Sequence, residues 1–141
     1  MSDGVFRPVG LAVDRAGNVY FSEGINGGIK KWNVADGTMT QVVSSEIYGH
    51  SGVAVDGSGN IYFTDDYLNV LLKWSATDGT SSTLVPSGLA GPSGIAVDSG
   101  GNLYVADTWH AAIKRLARAY LDPTPRPVSA AAGSDVLPPM L

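Results

Sequence analysis

The side chains best suited to chemistry in this sequence stand at one repeated position. Glu23, Asp65 and Asp107 follow one another at a spacing of 42. Carboxylates gathered from several places are the donors that Ca2+ or another hard divalent cation requires, with Asp65 and Asp107 as the candidate ligands. Asp66 follows the second carboxylate and has no acidic counterpart, since Gly24 and Thr108 occupy the matching places. His50 and His110 are the two histidines of the chain. A histidine pair beside a carboxylate can bind Zn2+ or work as acid and base, so His50, His110 and Asp66 are the candidates for catalysis. Asn26, Tyr67 and Trp109 lie in the segments that follow the three carboxylates, and the two aromatics would form a wall for a sugar or another flat ligand. Each has a plainer alternative. A carboxylate can accept backbone N–H groups and order the loop that follows it, and an aromatic ring can pack against a neighbouring unit.

The elements that must position these residues are legible in the same period. GLAVDRAGNVYFSE from Gly10, GVAVDGSGNIYFTD from Gly52 and GIAVDSGGNLYVAD from Gly94 match without gaps. Ile29, Leu71 and Ile113 align beyond them, as do Trp32, Trp74 and Leu116. Each copy reads as a short apolar strand (Leu11 to Val13, Val53 to Val55, Ile95 to Val97), a turn, and a second strand (Val19 to Ser22, Ile61 to Thr64, Leu103 to Ala106). Asp14, Asp56 and Asp98 open those turns, where a carboxylate caps nearby N–H groups, and a glycine closes each of them. A third strand ends at Lys31-Trp32, Lys73-Trp74 and Arg115-Leu116. The Asp-Gly pairs at 36–37 and 78–79 are hairpin signals, and the fourth strand follows at Met39 to Val43 and at Ser82 to Val85. Lys30, Lys31, Lys73, Lys114 and Arg115 read as solvated edge charges, and Trp32 and Trp74 as packing between units.

Four short antiparallel strands in a repeat of about 40 residues describe a propeller blade. Gly94-Ile-Ala-Val-Asp98, Gly101-Asn-Leu-Tyr-Val-Ala-Asp107 and Ile113-Lys114 resemble an NHL repeat, and the pattern runs from residue 7 to about 116. The resemblance implies an all-β β-propeller, commonly of six blades, with a ligand face at one end of its central channel. Three four-stranded antiparallel blades are then expected over about 7–48, 49–90 and 91–118 plus part of the tail, half of a six-bladed ring. A Pro- and Ala-rich tail or linker follows over 119–141, which could also strap the last blade. On that fold, Glu23, Asn26, Asp65, Tyr67, Asp107, Trp109 and His110 fall at the ligand end, as does His50.

Three blades are fewer than the four to eight that close a propeller. An open arc exposes apolar sheet faces, so the expected partner is a second copy in a two-fold homodimer, or the rest of a longer chain. The functional expectation is a scaffold that binds a small ligand or a protein on the channel face, without catalysis of its own. One alternative is a metal-assisted enzyme assembled from two copies, because similar propellers include streptogramin lyase, the amidating lyase and gluconolactonase-like proteins. Another is a designed or truncated self-assembling scaffold, since regular repeats are readily designed.

Composition bounds the rest. With 44% hydrophobic and 16% charged residues the chain is expected to fold. The net charge of −4 and the dispersal of nine Lys and Arg residues disfavour nucleic acid, including RNA, and a polybasic membrane contact. There is no cysteine for a disulfide or a thiolate metal site. No apolar run approaches the roughly 18 residues of a membrane span, and the first nine residues lack signal-peptide character.

Overall fold

A computed structural model describes residues 4–24, 27–44, 47–49 and 52–118, and the backbone of 139–140. Those residues form three four-stranded antiparallel sheets. The first runs β1 (Pro8–Val13), β2 (Val19–Glu23), β3 (Ile29–Trp32) and β4 (Met39–Val43), in that spatial order. The second repeats it with β5 (Val53–Val55), β6 (Ile61–Asp65), β7 (Val70–Trp74) and β8 (Ser81–Val85). The third has β9 (Pro92–Val97), β10 (Leu103–Asp107) and β11 (Ala112–Leu116), with β12 (Pro139–Met140) in the fourth place. No helix among the described residues is long and apolar enough to cross a membrane.

The third blade departs from the repeat at its outer strand. Counting on from Ser81–Val85, the fourth strand would fall at 123–127, where the sequence reads Pro-Thr-Pro-Arg-Pro. Proline has no N–H to give a ladder, so three in five residues are a poor strand. The backbone of Pro139–Met140 pairs there instead, Ile113 opposite Met140 and Lys114 opposite Pro139.

Each first hairpin is tied by one unit of hydrogen bonds. Asp14 Oδ1 accepts the Ala16 and Asn18 N–H groups, and Oδ2 accepts the Asn18 amide and the Tyr20 hydroxyl. Asp56 does the same with Ser58, Asn60 and Tyr62. Asp98 repeats the bonds to Asn102 and Tyr104. Asn18, Asn60 and Asn102 then accept the N–H of Val34, Ala76 and Arg118, which joins the first hairpin to the second. Gly17, Gly59 and Gly101 close the turns with φ of +84 to +86°, a conformation that costs glycine nothing.

The cores lie between blades, and one is the other moved along by a repeat. Tyr20, Ile29, Val43 and Ile47 of the first blade pack on Val53, Ile61 and Phe63 of the second. Tyr62, Leu71, Val85 and Leu89 pack in the same way with Leu103, Val105 and, at the margin, Ile95 of the third. Trp74 joins the first core and Leu116 takes its place in the second. Identical geometry at identical spacing explains why the period survives: each buried side chain faces a blade built on the same positions.

Candidate functional site

β2, β6 and β10 each end in a buried carboxylate: Glu23, Asp65 or Asp107. Each accepts a backbone N–H from seventeen residues upstream, in the segment that leads into its blade. The donors are Phe6 to Glu23 Oε1 at 2.7 Å, Tyr48 to Asp65 Oδ2 at 2.7 Å, and Ala90 to Asp107 Oδ1 at 2.6 Å. The bond shared by all three blades therefore ties down the preceding loop, where sequence reasoning expected the following one. Asp65 also holds the backbone of the following loop, through the N–H groups of Tyr67 and Leu68 at 2.9 Å.

The difference between blades has an electrostatic cause. Lys30 Nζ lies 3.0 Å from Glu23 Oε2, and Lys114 Nζ lies 2.6 Å from Asp107 Oδ2. Both ammonium groups also bond a loop carbonyl, Gly4 and Gly88 respectively. Lys30 and Lys114 are thus not the solvated edge charges that their strand position suggests. Leu72 stands at the matching place in the second blade, so Asp65 recruits backbone donors instead of a cation. Burial pushes the Asp107 carboxyl up, but the Lys114 ammonium, the Ala90 N–H and His110 outweigh it and hold it below the ordinary carboxylate value.

Of the sequence candidates, the structure joins Asp107 to His110. His110 Nδ1 lies 2.6 Å from Asp107 Oδ2, and the histidine side chain is half exposed. Asp66 sits beside Gly49, close enough that a side chain there would collide with its carboxylate. Tyr67 and Trp109 are 74% and 75% exposed at the same end. Trp109 stands in a short 3-10 turn, Thr108–His110, and its N–H bonds Ala90 O at 3.1 Å. Its indole lies on Gly91, where a Cβ would come within 2.9 Å of the ring. Gly91 N–H in turn bonds Asn69 Oδ1 at 2.6 Å, which ties the loop carrying Tyr67 to the bed of Trp109. Sequence reasoning missed Gly91 and Asn69, whose left-handed conformations, φ +56° and +58°, show only in the structure. Asn26 and His50 lie outside the described residues.

The three carboxylates are already engaged. Each belongs to its own blade and already accepts N–H or ammonium donors, and among the described residues no three His, Asp or Glu side chains converge. A cleft of about 560 Å3 opens at the opposite end, beside Asp14, Asp56 and Asp98. Those carboxylates are committed to turns, so the cleft's size is no guide to chemistry.

An architecture of four-stranded blades packed face to face defines a β-propeller segment. Residues 89–116 match the family model of the NHL repeat. Among solved structures the chain is similar to one in a nidogen/laminin complex, with 25% identity and a TM-score of 0.71 over 80% of this chain and 45% of that one. It is also similar to a virginiamycin B lyase from Staphylococcus aureus (18% identity, TM-score 0.65, 84% of this chain and 41% of that one). A streptogramin B lyase is similar at 22% identity and a TM-score of 0.61, over 79% of this chain and 38% of that one. The chain thus spans less than half the length of each of these structures. No curated protein sequence matches it.

Proposed function

We propose that this chain is a binding scaffold, half of a six-bladed ring, whose loop end recognises a protein or a glycan through Tyr67 and Trp109. The observation that carries the reading is the pair of large aromatics, about three-quarters exposed, with the Tyr67 backbone held by Asp65 and the Trp109 backbone by Ala90, itself held by Asp107. Rigid aromatic rings offer contact area at small entropic cost, and loops on a fixed frame are where recognition concentrates. The similarity to a chain in a nidogen/laminin complex supports a protein partner. The test is a binding screen of immobilised laminin and an oligosaccharide array against the wild type, Tyr67→Ala and Trp109→Ala. Binding that both substitutions weaken about tenfold or more supports the proposal, by the cost of a lost interface aromatic. Binding indifferent to both contradicts it.

A second reading is a lyase assembled from two copies. It is favoured by the Asp107–His110 pair, in which the carboxylate holds Nδ1 and leaves Nε2 for acid–base work. The streptogramin B lyases support it only through their fold. Incubation with a streptogramin B would show turnover that His110→Ala abolishes if this reading is right, and no turnover if it is wrong.

A further inference from the structure

Trp109 is seated as a platform. The point where a Cβ on Gly91 would stand is 2.9 Å from Cδ2, Cε2 and Nε1 of the indole alike. Equal distance from three atoms of one ring places Gly91 under the face of the indole and not at its edge. The seat is itself held, because the Trp109 backbone N–H bonds Ala90 O and the Gly91 N–H bonds Asn69 Oδ1. The other face is open, since Trp109 is 75% exposed. That exposure belongs to the position and not to the end of the chain. Tyr67 holds the same register in the second blade, which has a blade packed on either side, and it is 74% exposed. The seat is peculiar to the third blade. Gly49 matches Gly91, but the groups nearest to it are the Asp66 and Asp65 carboxylates and the Tyr67 backbone. Polar groups adjoin the platform. Thr108 precedes it in the turn and Ser93 lies two residues beyond its seat, and their exposed hydroxyl oxygens are 2.7 Å apart. Sharing one hydrogen between them leaves one O–H to donate and lone pairs to accept. His110 follows, its Nδ1 on Asp107 and its Nε2 left for a ligand.

We propose that Trp109 takes a neutral pyranose, the C–H side of the sugar on the open face of the indole and its hydroxyls at Ser93, Thr108 and His110. The face of an aromatic ring is negative and attracts the polarised C–H groups on one side of a pyranose, and the hydroxyls at the sugar's rim need partners that both donate and accept. A ring already fixed in place spends little entropy on binding. Charge argues against the other ligands of an aromatic face. A quaternary ammonium is held by a cage of several rings, and the carboxylate beneath this platform is buried and matched by Lys114. An anion finds Lys114 engaged by Asp107 and the Gly88 carbonyl. The inference rests on the reading that the loop end binds through its aromatics, and it commits Trp109 to a glycan in place of a protein.

The test is titration of the 15N-labelled chain with galactose, glucose, mannose, fucose and N-acetylglucosamine, with choline as the cationic control. The indole N–H of Trp109 and the backbone N–H groups of Thr108 and His110 report binding. At least one of these sugars should move them to saturation, with a dissociation constant on the order of millimolar, the range that a single small ring reaches. Trp109→Ala should weaken that sugar about tenfold or more. Trp109→Phe keeps a smaller face and should weaken it less, and Thr108→Val should weaken it several-fold by removing a hydroxyl. Both positions are exposed, so each variant should keep the wild-type circular dichroism. A sugar bound equally well by Trp109→Ala would overturn the inference, and so would choline binding more tightly than every sugar. Laminin, before and after removal of its glycans, separates the two readings. No sugar response at Trp109, with stripped laminin still held through Trp109, overturns the pyranose and leaves the binding reading standing. No response to any sugar, with laminin binding indifferent to Trp109→Ala, overturns both.

Discussion

Replacing Lys114 by Met removes the cation from the buried Asp107 carboxylate while keeping the apolar stem of the side chain. Asp107 would remain fully buried, with the Ala90 N–H on one oxygen and His110 on the other. Lys114 is itself mostly covered, at 17% side-chain exposure, so the pair is not a screened surface contact. Stranding one partner of a buried pair costs about 3–5 kcal/mol. A chain of this length has roughly 7–20 kcal/mol to lose, so the variant should fold but be visibly weakened. With a urea slope of about 2 kcal/mol/M, the unfolding midpoint should fall by roughly 1.5–2.5 M. Tryptophan fluorescence at fixed protein concentration reads it, the concentration held constant because assembly would add to stability. The double variant Asp107→Asn with Lys114→Met removes both charges, and should recover roughly half of the loss or more. A midpoint for Lys114→Met within about 0.3 M of the wild type would refute the reasoning, because it would mean that the pair contributes little. A double variant no better than the single would refute the charge argument while leaving the packing.

Two further outcomes follow from the same geometry. The Asp98 carboxyl is held down at about 2 by the Asn102 side chain and N–H, and Asp14 and Asp107 are lowered too. A folded value below the unfolded one gives stability that is present above the unfolded value and lost as pH falls through the folded one. The thermal midpoint should therefore drop between about pH 4 and pH 2, less steeply in Asp98→Asn, and a flat profile would count against the turn network. Gly91→Ala places a methyl within 2.9 Å of the Trp109 ring at a backbone φ of +56°. It should displace the indole and weaken any binding through Trp109, and unchanged binding in the screen would show that Gly91 is not its bed.

Much of the fold was legible because the period and the turn chemistry speak together. The second strands lie within one residue of their expected ends, since Asp14 to Asn18 and its copies fix where each begins. β1 and β9 start three residues earlier than the apolar runs suggest, at Pro8 and Pro92. Backbone pairing continues past the point where hydrophobicity stops. The loop latch was half visible. Acidic residues at one register were plain, but their shared donors are backbone N–H groups, which leave no mark in a sequence. Lys30 and Lys114 did leave one: a lysine seven residues after the acidic position in two blades, and Leu72 in the third. Their partners lie on the neighbouring strand, so a reading along one strand assigns them to solvent. Nothing in residue type announces that Tyr67 and Trp109 stand out from the surface, because an aromatic in a loop is as often packed as presented.

The three tryptophans allow the central claim to be tested in one spectrum. Trp74 lies against the core between the first two blades, Trp32 on the outer face of the first, and Trp109 at the loop end. Their indole N–H resonances, recorded while a partner from the binding screen is added, report the three places separately. Recognition by the loop end predicts that the Trp109 resonance moves with saturation while Trp74 stays still. Movement of Trp74 or Trp32 with Trp109 unchanged would contradict it.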